Sequence, residues 1–227
     1  MKNIKLSNFG PIKEANIKFG DLTILIGPQA SGKSVLLQLY KLIQDEKHVR
    51  NTLNKYGFTW GYSESEVLER FYGEGMSTLR NNNTSIAIDR RHFNLVDLIQ
   101  RRNEQLYPTG KETIFYIPAH RVLCVHKGWP NYFSEFESSD PYVLRNFSET
   151  LRLSINFDLQ EESYFPQQNR LSKILQDSIN KEIYHGNKIE IEKSDRLKFV
   201  LDVNKKSLSF GQWSTGQKEF FPLLMSL

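Results

Sequence analysis

The sequence predicts an α/β fold with an N-terminal antiparallel β-hairpin layer and helical insertions. Three observations predict this class. Alternating apolar positions surround a Gly-Pro turn at residues 10–11, as in a β-hairpin. A glycine-rich loop at residues 27–34 follows an apolar run and precedes a stretch with helical spacing. Two stretches, the polar residues 45–111 and the aromatic-rich residues 128–186, have mainly helical character. The 227 residues suffice for one domain that carries insertions.

The N-terminal elements are predicted in chain order. Ile4 and Leu6 precede the turn, and Ile12 and Ile17 follow it, so residues 1–19 predict two paired strands. Residues 22–26 form a short, β-branched apolar run that is typical of a buried parallel strand. Apolar residues at positions 35, 36, 39, 42 and 43 then predict a helix.

The loop between that strand and that helix reads Gly-Pro-Gln-Ala-Ser-Gly-Lys-Ser, which is the phosphate-binding P-loop pattern G-x-x-x-x-G-K-S. The glycines let backbone N–H groups approach phosphate oxygens, and Lys33 supplies a cation for the β- and γ-phosphates. Ser34 is predicted to ligate Mg²⁺, a cation that prefers oxygen. The predicted ATP-binding residues are Gly27, Pro28, Gln29, Ala30, Ser31, Gly32, Lys33, Ser34 and Val35.

The remainder of the chain is predicted to divide into four segments after the strands, P-loop and helix of residues 1–44. Residues 45–111 form a mainly helical insertion, with helices at 45–55, 64–72 and 92–106, a turn at 81–83 and a strand at 85–89. Residues 112–127 supply a buried core strand at 113–117. Residues 128–186 form a helical subdomain whose frequent aromatic residues predict core packing, and residues 187–227 form strands at 188–193, 197–203 and 207–210 and a last helix.

A capping box predicts where the last helix begins. Ser214 and Gln217 have the Ser-x-x-Gln spacing, and an apolar helix body follows them. Pro222 is expected to be tolerated because it lies near the helix start. With Gly216 free of a side chain, this is a second helix N-terminus suited to an anion.

These residues carry a resemblance. Ser214, Thr215, Gly216 and Gln217 resemble the signature motif of ABC-type ATPases, and residues 116–121 resemble a stretch between P-loop and signature in a bacterial subgroup. The order of hairpin, P-loop, helical insertion and signature is similar to that of SMC, RecF and OLD-like (overcoming-lysogenization-defect) head domains of bacterial AAA family ATPases. The resemblance implies a head-to-tail homodimer in the ATP state, with each signature acting in trans on the γ-phosphate at the other subunit's Lys33. No glutamine after Ile117 fits the Q-loop of that class, and His120 and Arg121, the polar residues at about that place, are assigned to the nucleotide site by the resemblance.

One element of this class is missing from its expected place. Its Walker B strand, which ends in Asp-Glu, follows the signature helix, whereas this sequence stops at Leu227. Residues 199–202 mimic Walker B, but they precede the signature, and Val203 stands where the Glu is needed. We therefore expect an incomplete core and assign no catalytic residue. Three explanations stay open: a fragment, completion by a separate polypeptide, or a nucleotide-binding unit with little hydrolysis.

The functional expectation is an ATP-binding ATPase head that drives a partner effector protein or a DNA transaction, with phage defence as the setting implied by the class. The alternative is a nucleotide-binding interaction module without hydrolysis. A small-molecule kinase would also use a P-loop, but the chain has no evident acceptor-site motif and the signature would be unexplained.

Composition restricts partners and location. The net charge is +4, and basic clusters occur at residues 90–92, 101–102 and 205–206. Each cluster either meets nucleic-acid phosphates or is a solvated face. The single cysteine, Cys124, stands in an apolar stretch and is predicted to be a buried small hydrophobe. The absence of a disulfide framework, a signal peptide or a membrane-length apolar run predicts a cytoplasmic protein.

Overall fold

Two four-stranded antiparallel sheets organise the protein, each in its own unit. A computed structural model describes residues 3–100, 110–155, 163–165 and 171–226. The first unit combines Met1–Tyr116 with Glu137–Val143, and the second combines Ile117–Phe136 with Leu144–Leu227.

The sheet of the first unit has the strand order β2-β1-β3-β4. Its strands are β1 (Asn3–Phe9), β2 (Ile12–Lys18), β3 (Arg80–Ile88) and β4 (Arg91–Phe93). The predicted N-terminal hairpin is confirmed, because β1 and β2 pair antiparallel around a turn in which Gly10 has φ +53°. The predicted turn at residues 81–83 is wrong, since these residues lie within β3. They nevertheless make a turn-like local bond, from the Asn83 N–H to Asn81 Oδ1 at 2.8 Å.

Helices pack their apolar faces into the core of the first unit. They are α1 (Lys33–Gln44), α2 (Glu46–Lys55), α3 (Glu64–Tyr72) and α4 (Val96–Gln100), with a 3-10 turn at Met76–Leu79. The helices expected at 45–55 and 64–72 are confirmed, and Ser63 caps α3 by accepting from the Glu66 N–H. The helix expected at 92–106 is confirmed only as α4, because β4 occupies 91–93. Residues 101–106, with the basic pair 101–102, lie outside the described residues.

Both predicted buried core strands are wrong in the structure. Residues 22–26 form no strand, and Leu22, Ile24 and Ile26 are 81%, 71% and 92% exposed. Residues 113–117 also form no strand, and Phe115 is 46% exposed. A parallel strand needs neighbours that pair with its backbone and cover both of its faces. Within the described ranges no strand pairs with either segment, so their apolar composition alone does not produce strands.

The sheet of the second unit has the order β10-β9-β8-β7, and a two-stranded ribbon accompanies it. The ribbon is β5 (Val125–His126) and β6 (Trp129–Pro130), and the sheet is β7 (Ser163–Phe165), β8 (Lys188–Lys193), β9 (Leu197–Val203) and β10 (Lys206–Ser209). The predicted strands at 188–193 and 197–203 are confirmed, as is the hairpin around Asn204 and Lys205, whose φ values are +52° and +66°. The Walker B-like run is therefore a hairpin strand, with Asp202 opposite Ser207.

Helical segments complete the second unit. They are α5 (Tyr142–Ser154, its residues from Leu144 onward in this unit), α6 (Lys173–Ile179) with a π turn at Asn180–Tyr184, α7 (Thr215–Ser226), and 3-10 turns at Arg121–Cys124, Phe133–Glu135 and Phe210–Gln212. The predicted helix end at residues 185–187 is confirmed by the left-handed backbone of His185. The expectation that Pro222 lies near the helix start is wrong, because it is the eighth of the twelve residues of α7.

An aromatic cluster forms the core of the second unit. Phe147, Phe165, Phe199 and Phe221 are among its buried members, as is Cys124, which confirms its predicted packing role. Most of the aromatic residues in 128–186 that are described are likewise buried, whereas Phe157 lies outside the described residues. Among the described helices, none is long and apolar enough to cross a membrane.

Candidate functional site

The N-terminal hairpin holds the end of the P-loop. Gly32 has φ +89°, a backbone conformation that favours glycine, and its carbonyl accepts from the Leu36 N–H at 2.9 Å to open α1. A Cβ atom at this position would lie 2.4 Å from Ile12 Cγ1 and 3.2 Å from Pro11 Cγ. Both the backbone angle and the contact with β2 therefore require glycine here.

Lys33 turns back over the loop that precedes it. Its Nζ donates to the backbone oxygens of Gly27 at 2.9 Å and Pro28 at 2.6 Å, and to Ser31 Oγ at 3.2 Å. Three donors thus meet three acceptors that all belong to the P-loop. The cation is held over the loop, which is where a phosphate-binding lysine is needed.

The N-terminus of α1 is electrostatically open to an anion. Gly32 provides no side-chain cap, and the first turn contains no acidic residue. The first N–H groups of a helix have no intrahelical acceptor, and the helix dipole makes this end positive. Ser34, in the same turn, has an exposed side chain. The arrangement fits a phosphate group beside a hydroxyl that can reach a metal ion.

A buried tyrosine supports this turn from the core side. The Tyr72 hydroxyl, on α3, donates to the Val35 carbonyl at 3.1 Å. Burial raises the pKa of Tyr72 well above its ordinary value, and the nearby Tyr116 contributes in the same direction. The phenol therefore stays protonated and remains a donor. Sequence reasoning missed Tyr72, because it was one apolar position among several on a predicted helix.

A buried charge cluster closes the other end of α1. Lys41 Nζ lies 3.2 Å from Asp45 Oδ2, 2.5 Å from Glu112 Oε1 and 2.6 Å from the Ile114 carbonyl. Asp45 in turn accepts from the backbone N–H groups of Thr113 at 3.0 Å and Ile114 at 2.9 Å. The cluster ties the P-loop helix to residues 112–114. The i, i+4 spacing of Lys41 and Asp45 is a sequence signal for this pair, whereas Glu112 lies 71 residues from Lys41 and no local pattern connects them.

The signature segment lies at the start of α7, in the second unit. The predicted capping box is present in both directions, from the Ser214 N–H to Gln217 Oε1 at 3.0 Å and from the Gln217 N–H to Ser214 Oγ at 3.3 Å. Gln217 Nε2 also donates to the Ile183 carbonyl at 3.1 Å. Thr215 and Gly216 are exposed, and a Cβ at Gly216 would meet nothing within 4 Å. The helix N-terminus is therefore capped by hydrogen bonds, and the space beside Gly216 is not filled by other atoms of the described residues.

A family comparison agrees with this geometry. The family model described as "AAA ATPase domain" matches residues 1–221. The chain belongs to the AAA ATPase domain family. Membership supports nucleotide binding by a P-loop ATPase, in agreement with the loop at residues 27–34. No curated protein and no solved structure matches the chain.

Arg121 has a structural contact in this AAA ATPase domain. Its Nε donates at 2.8 Å to the carbonyl oxygen of Glu219 in α7. The neighbouring His120 is exposed and precedes the 3-10 turn Arg121–Cys124. Both residues lie in the second unit, as the signature does, whereas residues 27–35 lie in the first. The assignment of His120 and Arg121 to a nucleotide site stays a prediction.

Ser34 is the one predicted metal ligand of this AAA ATPase domain. The described residues contain no group of three or more His, Cys, Asp or Glu side chains arranged to hold a metal ion. Magnesium commonly keeps several waters and takes only one or two protein ligands together with substrate phosphates. The Ser34 hydroxyl therefore fits the predicted role, and it fits a metal that arrives with a nucleotide.

Proposed function

We propose that this AAA ATPase domain binds ATP·Mg²⁺ at residues 27–35. The observation that carries the proposal is the position of the Lys33 ammonium over the P-loop, at a helix N-terminus free of carboxylates. On binding, Lys33 would exchange its contacts with the Gly27 and Pro28 carbonyls for phosphate oxygens. The N–H groups of the first turn of α1 would bind the same anion, and Ser34 would hold Mg²⁺.

Titration calorimetry with ATP and Mg²⁺ tests this site. Lys33→Ala should abolish measurable binding. Lys18→Ala is the control, because Lys18 is an exposed lysine of β2, and this variant should bind ATP as the unaltered chain does. Ser34→Ala should weaken binding in Mg²⁺ and have little effect in EDTA. An unchanged ATP affinity in Lys33→Ala would refute the assignment.

The second part of the proposal is a composite site. In a head-to-tail homodimer, Ser214, Thr215, Gly216 and Gln217 of one copy would meet the γ-phosphate bound at Lys33 of the other. Two observations support it: the order of the two motifs along the chain, and the open surface above Gly216 at a capped helix N-terminus. A contact that only the triphosphate completes would make dimerisation a switch.

Solution mass tests the composite site. ATP should raise the mass of the unaltered chain to that of a dimer, and ADP should not. Gly216→Arg and Ser214→Arg place a bulky side chain at the proposed interface, so both should remain monomeric while their P-loops still bind ATP by calorimetry. If either variant dimerises with ATP as the unaltered chain does, the signature does not act in trans.

The dimer is proposed to drive a partner effector protein or a DNA transaction, with phage defence as its setting. The resemblance to SMC, RecF and OLD-like heads supports this step. Plaque counts on bacteria that carry the native gene with its neighbours provide the test. Lys33→Ala should abolish any protection against phage. Equal plaque counts with and without the native gene, over a panel of phages, would remove the defence setting.

A second candidate is a nucleotide-binding interaction module that does not hydrolyse ATP. The observation that favours it is the position of Asp202, the carboxylate of the Walker B-like run, in the β9–β10 hairpin. Phosphoryl transfer to water needs a group that orients the water, and this Asp is committed to an antiparallel sheet of the second unit. Phosphate release at a steady rate, absent in Lys33→Ala, would exclude this candidate.

A further inference from the structure

An open cleft in the second unit belongs to neither motif. Its volume is about 1010 Å³, at the upper end of the range of ligand-binding clefts. The β5–β6 ribbon, the loop at residues 194–196 and the segment 209–211 line it. None of its lining residues belongs to the P-loop or to the signature segment.

Two accessible aromatic rings stand in this cleft on rigid supports. Trp129 is partly exposed and stacks on the buried Phe199, with ring centroids 5.3 Å apart and planes inclined by 14°. Tyr132 is 49% exposed, and the Arg152 guanidinium lies 4.6 Å from its ring centroid. Arg152 is itself fixed by Glu149, through its Nε at 3.1 Å. One face of each ring is therefore covered by a protein side chain that holds the ring in place. Because the rings are already held, binding a ligand costs little side-chain entropy.

The ribbon that carries Trp129 is fixed to the sheet. The Phe199 N–H donates to the Gly128 carbonyl at 2.7 Å. A Cβ atom at Gly128 would lie 2.8 Å from the Phe199 carbonyl oxygen, so the two backbones are in close contact. The cleft wall is thus preorganised rather than formed by a free loop.

Four Lys and Arg residues and two carboxylates, Glu135 and Asp195, line the cleft. Two of the four cations have carboxylate partners of their own, since Arg152 pairs with Glu149 and Lys198 with Glu192. Glu135 is committed to its own turn, where it accepts from the Tyr132 N–H at 3.0 Å. Lys127 stands at the tip of the ribbon and Arg196 in the loop between β8 and β9, both exposed. The ion pairs between described residues include neither Lys127 nor Arg196.

We propose that this cleft binds single-stranded nucleic acid. Bases would stack on Trp129 and Tyr132, and the backbone phosphates between them would meet Lys127 and Arg196. Aromatic platforms beside a cationic groove are the means by which proteins bind single strands without reading sequence. A duplex keeps its base faces stacked inside, so it offers nothing to Trp129 and Tyr132. The exposed rings therefore favour a single strand over a duplex.

Fluorescence anisotropy with a labelled 15-nucleotide oligothymidine tests the proposal. We expect Lys127→Glu and Arg196→Glu each to weaken binding by about tenfold or more, because each replaces a phosphate contact with a repulsive charge. Lys173→Glu is the matched control, an exposed lysine of the same unit outside the cleft and outside the basic clusters, and it should bind as the unaltered chain does. Trp129→Phe should retain most of the affinity and Trp129→Ala should lose about fivefold or more.

Two further measurements separate this site from the nucleotide site. Lys33→Ala should bind the oligonucleotide normally, so failure of the P-loop assignment leaves this test intact. The slope of log K against log salt should fall by about 0.7 for each phosphate contact removed from the cleft. No binding by the unaltered chain, an equal loss in Lys173→Glu, equal affinity for a duplex of the same length, or full competition by thymidine monophosphate at equal concentration would each overturn the proposal.

Discussion

Arg121 donates from its Nε to the Glu219 carbonyl, 2.8 Å away, at the turn of α7 that precedes Pro222. Pro222 has no N–H for the Lys218 carbonyl four residues earlier, and its ring crowds that carbonyl. A proline in this position opens the helix so that neighbouring carbonyls become available to other donors. Arg121 supplies one such donor and thereby fixes the signature helix to the segment that follows Pro118.

Arg121→Ala is therefore expected to destabilise the second unit without affecting the P-loop. The loss should be about 1 kcal/mol, the size of a partly solvated hydrogen bond. Urea unfolding measures it, followed by the tryptophan fluorescence of a Trp60→Phe background, in which the emission comes from the second unit and includes Trp213 against Phe221 in α7. A normal urea midpoint together with weakened ATP binding would instead restore the nucleotide role predicted from sequence.

Gly32→Ala is expected to damage the P-loop through its geometry. The substituted residue would adopt φ +89° at a cost of about 1–2 kcal/mol and would also displace Ile12. Both the urea midpoint and the ATP affinity should fall. Gly186→Ala, at φ +81° with nothing near its Cβ, carries the backbone cost alone and is the control for stability. Equal ATP binding in Gly32→Ala and the unaltered chain would contradict the role of the hairpin contact.

Local signals in the sequence predicted local structure well. The hairpin around Gly10 and Pro11, the hairpin around Asn204 and Lys205 and the Ser214–Gln217 capping box each depend on residues close in sequence, and the structure has all of them. The predictions of buried strands at residues 22–26 and 113–117 were wrong, because a buried strand depends on neighbouring strands from elsewhere in the sequence. Composition shows that such a segment is apolar, but it cannot show that a partner strand pairs with it.

The same distinction between local and distant residues applies to the candidate site. The P-loop motif predicted the place of Lys33, because loop and helix start are adjacent in sequence. It could not predict Tyr72 or the cluster of Lys41 with Glu112, since these reach α1 from distant positions. Arg121 was assigned by resemblance, and its contact with Glu219 spans 98 residues. The spacing of a motif cannot predict which side chains from other elements of the fold support the site.

Lys41→Met is expected to be strongly destabilising. It would leave Asp45, with a fully buried side chain, without its cation. Removing one partner of a buried ion pair costs about 3–5 kcal/mol. Lys181→Met, which breaks an exposed pair with Glu182, should change stability by less than about 0.5 kcal/mol. Thermal unfolding compares the two variants, and similar melting temperatures would contradict the structural role of the cluster.

Alkaline pH is expected to unfold the first unit through its buried tyrosines. Burial raises the pKa of Tyr72 above the ordinary 10.0, so its contribution to stability is complete below pH 10.0 and is lost as the pH rises further. The free energy of unfolding should fall by up to about 1.4 kcal/mol per pH unit for this group. Tyr72→Phe should flatten that slope, whereas Tyr62→Phe, at a 67% exposed position, should leave it unchanged. Equal slopes in both variants would contradict the assignment.

The proposed composite nucleotide site is tested most directly by mixing two variants, each lacking one half of it, and measuring their mass with a non-hydrolysable ATP analogue and Mg²⁺. Lys33→Ala keeps its signature and Gly216→Arg keeps its P-loop, so a mixed dimer contains one complete site. We predict that each variant alone stays monomeric and that the mixture forms a dimer with one copy of each. A dimer formed by Gly216→Arg alone, or a mixture that stays monomeric where the unaltered chain dimerises, would contradict the composite site.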